Sequence, residues 1–217
     1  RLPNGSLNPN IKAQRSVQLL AGLEYYFTAW NRPFKLSVEL YNKWLDNLIP
    51  YKVDNVRIRY AGQNLAKGFA RGVDIKLNGE LLEDAESWVS ISLLKTMEDI
   101  LHDSYVDANG QTVYPGYYPR PTDQTLGFNL FFQDYLPGNP TFRVHLSANY
   151  GTGLPVGVNG IDRYDVTFRM KDYKRVDIGF TKLLRDEISS NGISRKLKGF
   201  KGIWLGAEVF NLFNFNN

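Results

Sequence analysis

The chain has 217 residues, 26 Lys+Arg against 22 Asp+Glu, and no cysteine. Its length suits one large β domain or two small ones, while disulfides and cysteine-based metal sites are excluded. The near balance of charge, with no basic block, argues against a nucleic-acid binder, and no apolar run approaches the ~18 residues a transmembrane helix requires.

Eight segments alternate apolar and polar residues with the period of a strand. In chain order, Val17, Leu19, Ala21, Leu23 and Tyr25 oppose Gln18, Gly22 and Glu24, with Leu20 the exception. Leu36, Val38 and Leu40 oppose Lys35, Ser37, Glu39 and Tyr41. Val73, Ile75 and Leu77 oppose Asp74, Lys76 and Asn78, and Val89, Ile91 and Leu93 oppose Ser90 and Ser92. Leu126, Phe128, Leu130 and Phe132 oppose Gly127, Asn129 and Gln133. Phe142, Val144, Leu146 and Ala148 oppose Arg143, His145, Ser147 and Asn149. Val176, Ile178 and Phe180 oppose Arg175, Asp177 and Gly179; Ile203, Leu205, Ala207 and Val209 oppose Gly206 and Glu208. Two further β-like pieces, residues 56–60 and 165–170, are expected to extend neighbouring strands. No helical period competes, so the fold class is all-β, an antiparallel up-and-down meander.

The connections alternate in length. TAWNRP (28–33), ELLEDAES (80–87) and LPGNP (136–140) are short; residues 46–65, 97–123 and 151–173 form long ones, far above the ~2–5 residues of a hairpin loop. In a meander every second connection lies at the same end, so long loops crowd one end and tight turns the other. The seventh connection, 185–201, breaks the pattern. Strands of about 10 residues with this asymmetry describe an outer-membrane barrel, apolar side to lipid and polar side to a water-filled bore. Aromatic residues near strand ends (Tyr25, Tyr26, Trp30, Trp44, Trp88, Tyr135, Tyr150) suit an interfacial girdle. A soluble antiparallel sheet is also apolar on one side, and a soluble β-sheet binding module stays open as an alternative.

GFARGVDIKLNGE, ESWVSISLLKTMED, VYPGYYPRPTDQ, FQDYLPGNP, YGTGLPVG, YKRVDIGFTKLL and WLGAEVFNLFN occur in that order. The series resembles the C-terminal part of the barrel of TonB-dependent outer-membrane receptors, especially those of the Bacteroidetes. The resemblance implies that residues 1–217 are a partial segment of a 22-stranded transmembrane β-barrel, the plug domain and last strand lying outside it. It implies import of a scarce nutrient of the siderophore, cobalamin, glycan or peptide class across the Gram-negative outer membrane. Its partners would be outer-membrane lipid, the TonB system through the plug, the imported ligand and a surface lipoprotein, with no nucleic acid. Long loops would be extracellular and short turns periplasmic. A passive porin-like channel is the alternative of a second class.

Candidate site residues follow from these placements. The long loop carries Tyr105, Tyr114, Tyr117, Tyr118 and Arg120; tyrosine offers amphipathic contact area and arginine a carboxylate clamp for a cargo, while Pro115, Pro119 and Pro121 equally suit a loop packed on its neighbours. On the polar side Glu39, Asp74, Lys76, Arg143, His145, Arg175, Asp177 and Glu208, with Glu24, Lys35 and Glu80, would form a hydrated lumen wall or hold the plug. Asp103, Asp107 and Asn109 before Gly110 faintly echo a calcium loop but lack its twelfth-position glutamate, so a turn is expected. The two histidines, His102 and His145, are too few for zinc. No nucleophile elbow or HExxH occurs; His145 with Ser147 is the only catalytic pairing to weigh, and no enzyme, cofactor or metal is expected.

Overall fold

In a computed structural model, which describes residues 5–54, 57–82, 85–136, 138–157, 167–185 and 200–217, the chain is entirely strands and connections among those residues. It runs through β1 (Arg15–Ala29), β2 (Arg32–Leu48), a short pair β3 (Tyr51–Asp54) and β4 (Arg57–Tyr60), then β5 (Ala66–Leu82) and β6 (Ala85–Ile100). The next loop holds β7 (Tyr105–Val106), β8 (Thr112–Val113) and β9 (Tyr118–Pro119). After β10 (Leu126–Leu136) and β11 (Asn139–Gly151) come β12 (Pro155–Gly157), β13 (Thr167–Arg169), β14 (Tyr173–Arg185) and β15 (Ile203–Val209). The main sheet follows the order β1-β2-β5-β6-β10-β11-β14-β15, every neighbour antiparallel and next in line. All eight alternating segments therefore lie where their period placed them.

Side-chain period 2 makes register decisive, because a slip of one residue would turn an entire apolar set over. Here the sets stay aligned. Tyr25, Leu36, Leu77, Val89, Leu130, Ala148 and Val176 form one cross-strand row, and Leu23, Val38, Ile75, Ile91 and Phe128 the next. Among the described residues no second layer covers this side. Leu19, Leu23 and Leu40 are 65 %, 67 % and 53 % exposed, and no large side chain among the described residues is fully buried. So large a bare apolar surface marks contact with a membrane or with another protein.

The apolar band is bounded by aromatic rows. Toward the long loops Trp44, Phe69 and Met97 are register partners, with the Tyr117 ring tilted against Phe69 at 5.4 Å. Toward the short turns Phe27 faces Phe34 at 5.5 Å, and Trp30 meets Phe34 edge-on. Trp44 and Phe34 are ten residues apart on β2, roughly 33 Å along the strand and roughly 25 Å after a barrel strand's tilt, the height of an outer-membrane apolar belt. The β1–β2 turn itself is two residues, Trp30 (φ 51°) and Asn31 (φ 60°), the left-handed pair whose twist matches the flanking strands.

Three expectations need correction. The strands β1, β2, β5 and β6 have 15–17 residues rather than about ten, so their upper ends stand above the band, where Lys67 and Asp99 pair at 3.3 Å on the outer side. The pieces around residues 57–60 and 167–169 do not extend neighbouring strands; they close local hairpins β3–β4 and β12–β13 inside the long connections. Of the seven girdle aromatics, Tyr25, Trp44 and Tyr150 share the apolar side, whereas Tyr26, Trp88 and Tyr135 point to the polar side, since each is one residue out of phase. The loop of Asp103, Asp107 and Asn109, by contrast, is the turn expected: the Asp107 carboxylate accepts the Asn109 and Gln111 amides, and Gly110 takes φ 78°. Most of the connection 185–201 lies outside the described residues.

Candidate functional site

All eight residues expected on the inner wall lie on the polar side of the sheet, where the register sorts them into groups. Glu39 and Asp74 are direct cross-strand partners. Lys76 Nζ sits 5.3 Å from the Trp88 ring, Trp88 stacks on Phe131 and Phe131 on His145, at 6.3 and 6.2 Å. His145 Nε2 lies 3.4 Å from Glu208 Oε1, reached across Gly179, where a Cβ would stand 2.1 Å from the imidazole. Arg143 packs between Tyr135 and Trp204, 5.0 and 5.1 Å from their rings, and donates to the Tyr135 hydroxyl at 2.7 Å. Arg175 Nε donates to both Asp177 oxygens, which also accept Ser147 Oγ and the Asn211 amide. Ser147 and His145 thus bond to separate carboxylates and do not face one another.

Alternation alone hides the aromatic members of this wall. Tyr26, Trp88, Phe131, Tyr135 and Trp204 occupy polar-side positions, and each cation nearby rests on one of their rings. Such contacts stabilise by about 0.5–1 kcal/mol each when exposed, and they keep Lys and Arg stems flat against the wall.

Higher on the same side is a polar notch of about 330 Å³ between β10, β11 and β14. Asn129, Asn149, Tyr173 and Arg175 wall it, and Gln124 caps it, its amide lying over Gly151 and donating to Thr152 O at 3.2 Å. Any side chain at residue 151 would collide with that amide, 2.4 Å from a Cβ. The notch escapes a linear reading because its walls come from three strands and become neighbours only through register.

The tyrosine-rich loop divides between the two sides of the sheet. Its strand β9 pairs with the upper end of β6, setting Tyr118 beside Glu98 and Pro119 beside Met97. Tyr118 is buried, and Arg120 Nε donates to Glu98 Oε2 at 3.3 Å, with Glu98 only 2 % exposed. Tyr117 packs outward on Phe69 beneath Lys67. Tyr105 pairs with Val113 in the β7–β8 hairpin, and Tyr114 is exposed. Behind them Asp123, 3 % exposed, accepts the Thr96 amide at 2.6 Å and an Arg169 guanidinium N–H. Arg169 also donates to Asp123 O and Gly153 O, so two long loops are fastened together.

The third long loop has a second tether. Tyr150 Oη donates to Asp172 Oδ2 at 2.7 Å, and the Gly153 amide to Oδ1 at 3.1 Å. The tyrosine hydrogen bond, then that amide, hold the Asp172 carboxyl below the usual aspartate range. A depressed folded value places this contribution above the unfolded pKa of about 3.9, and it is lost as pH falls further. Amide exchange at Gly153 is therefore expected to be flat from neutral pH to about pH 5 and to accelerate, relative to the intrinsic rate, below about pH 4. Tyr150→Phe should remove most of that dependence.

A one-layer antiparallel wall, apolar toward lipid, polar toward a bore, with its long connections at one end, is the wall of a transmembrane β-barrel. The family model for the TonB dependent receptor-like β-barrel matches residues 2–212, and the chain belongs to that family of Gram-negative outer-membrane transport proteins. Comparison with curated proteins and with solved structures gave no match.

Proposed function

We propose that the chain is part of the wall and extracellular end of an energised importer for a scarce nutrient of the siderophore, cobalamin, glycan or peptide class, in a receptor of the Bacteroidetes type. The observation that carries this reading is the register-aligned contrast between the sheet's two sides, continued upward into fastened loops. A plug would sit against the cation-on-ring wall of Trp88, Phe131, Arg143 and His145. Cargo descending from the loops would meet the amides of Asn129 and Asn149. A surface lipoprotein would cover the long loops, and the chain would carry out no catalytic step.

The test is growth of a receptor-deletion strain supplied with ferric siderophores, cobalamin, oligosaccharides or peptides as the limiting source. Loss of growth on one class, repeated when TonB is deleted, is the expected result. Uptake that persists without TonB would instead identify a passive channel.

A further inference from the structure

The apolar side of the sheet carries one row that does not belong in hydrocarbon. Asn42, Arg71 and Lys95 are consecutive register partners on β2, β5 and β6, one position below the Trp44–Phe69–Met97 row. Arg71 and Lys95 stand directly opposite each other, an arrangement of like charges that destabilises a strand pair. Their other neighbours on that side are Val73, Leu93, Phe69 and Met97, none of them acidic. Asp99, further up the same strand, is held by Lys67. No carboxylate among the described residues pairs with either cation.

Immediately below this row lies a groove of about 630 Å³. Its floor is the chain at Tyr41, Gly72 and Leu94; Asn42, Arg71 and Lys95 edge it above, and Leu40, Val73 and Leu93 below. Tyr41 folds over Gly72 on the opposite side of the sheet, so the groove opens only toward lipid. Arg71 rests its guanidinium 4.9 Å from the Phe69 ring centroid. Stacking uses the flat face of the group and leaves its N–H edge for an oxyanion.

We infer that this groove binds a lipid whose headgroup carries a phosphate monoester, its phosphate between Arg71 and Lys95 and an acyl chain along Leu40, Val73 and Leu93. Two adjacent cations and one amide match a dianionic monoester. A phosphodiester carries a single charge and leaves one of the two cations uncompensated, whereas a monoester offers arginine a bidentate contact and keeps charge for the lysine. The placement at the long-loop end rests on the orientation proposed above and puts the lipid in the outer leaflet.

The experiment uses the full receptor chain in detergent, titrated with monophosphoryl lipid A, the same lipid dephosphorylated, and phosphatidylglycerol, with bound lipid counted by native mass spectrometry. Expected is one tightly held phosphorylated molecule, at least tenfold preferred over both others. Arg71→Gln with Lys95→Gln should weaken it at least tenfold while heat-modifiable mobility of the folded barrel is unchanged. Val73→Trp, which keeps both charges and fills the groove, should also weaken it. Equal binding by the charge variant, or by the dephosphorylated lipid, would overturn the proposal; equal binding of phosphatidylglycerol would overturn the monoester. Import is read separately, so its loss with lipid binding intact counts against the transport reading alone.

Discussion

Arginine at position 75 is expected to weaken the barrel by about 2–4 kcal/mol, whereas arginine at position 92 should change it by less than about 0.5 kcal/mol. The two sites are near neighbours on adjacent strands: Ile75 pairs with Ile91, and Asp74 with Ser92. They differ in the side of the sheet they serve. Ile75 lies midway between the aromatic rows on the uncovered apolar side, where a cation must be drawn toward the bilayer centre. Ser92 lies on the polar side opposite a carboxylate, where a new guanidinium finds water and a partner. The penalty should also fall with height, so that Phe69→Arg, in the upper aromatic row, weakens the barrel by only about 0–1 kcal/mol. Urea titration of the barrel folded into lipid vesicles measures all three. A penalty at residue 69 as large as at residue 75, or none at residue 75, would mean that this side does not meet hydrocarbon.

The strands and their order were legible because one rule, alternation, governs them. Eight periods gave eight neighbours, and connection lengths gave the two ends. What alternation could not supply was anything determined by a partner strand. Trp88 looked like an interfacial aromatic because it stands near a strand end, yet its phase puts it against Asn78 and Phe131 on the polar side. The short pieces around 57–60 and 167–169 look like strand extensions because propensity does not say which chain they will pair with. Their nearest partners, β3 and β12, win because closing a small hairpin orders less chain. The notch walled by Asn129, Asn149 and Arg175 and the row of Asn42, Arg71 and Lys95 have the same origin. Each is dispersed in sequence and contiguous in register.

That dependence on pairing explains the second large effect, at Asp123. Above Leu93 the strand β6 loses β10 as its neighbour, and β9 resumes pairing only at Met97 and Glu98. Leu94 bridges to Thr125, which leaves the Thr96 amide facing a gap in the ladder. The Asp123 carboxylate fills that gap, accepting the amide at 2.6 Å while its other oxygen receives Arg169. Removing it orphans a buried N–H, a loss of about 1–3 kcal/mol. Arg169 is 39 % exposed, so solvent screening keeps its share of the pairing to roughly 0.2–1 kcal/mol. Asp123→Ala should therefore release the segment 101–125 by about 1–4 kcal/mol and loosen the loop that Arg169 joins to it. Asp123→Asn keeps an acceptor for Thr96 and should forfeit chiefly the ionic part, about 1 kcal/mol or less. Exchange of the Thr96 amide and cleavage within residues 101–122 by added protease report the opening. Because the apolar rows below are untouched, the urea midpoint of the barrel should hardly move. A midpoint that falls with the alanine variant, without faster exchange at Thr96, would place the role of Asp123 in the wall and not in the loops.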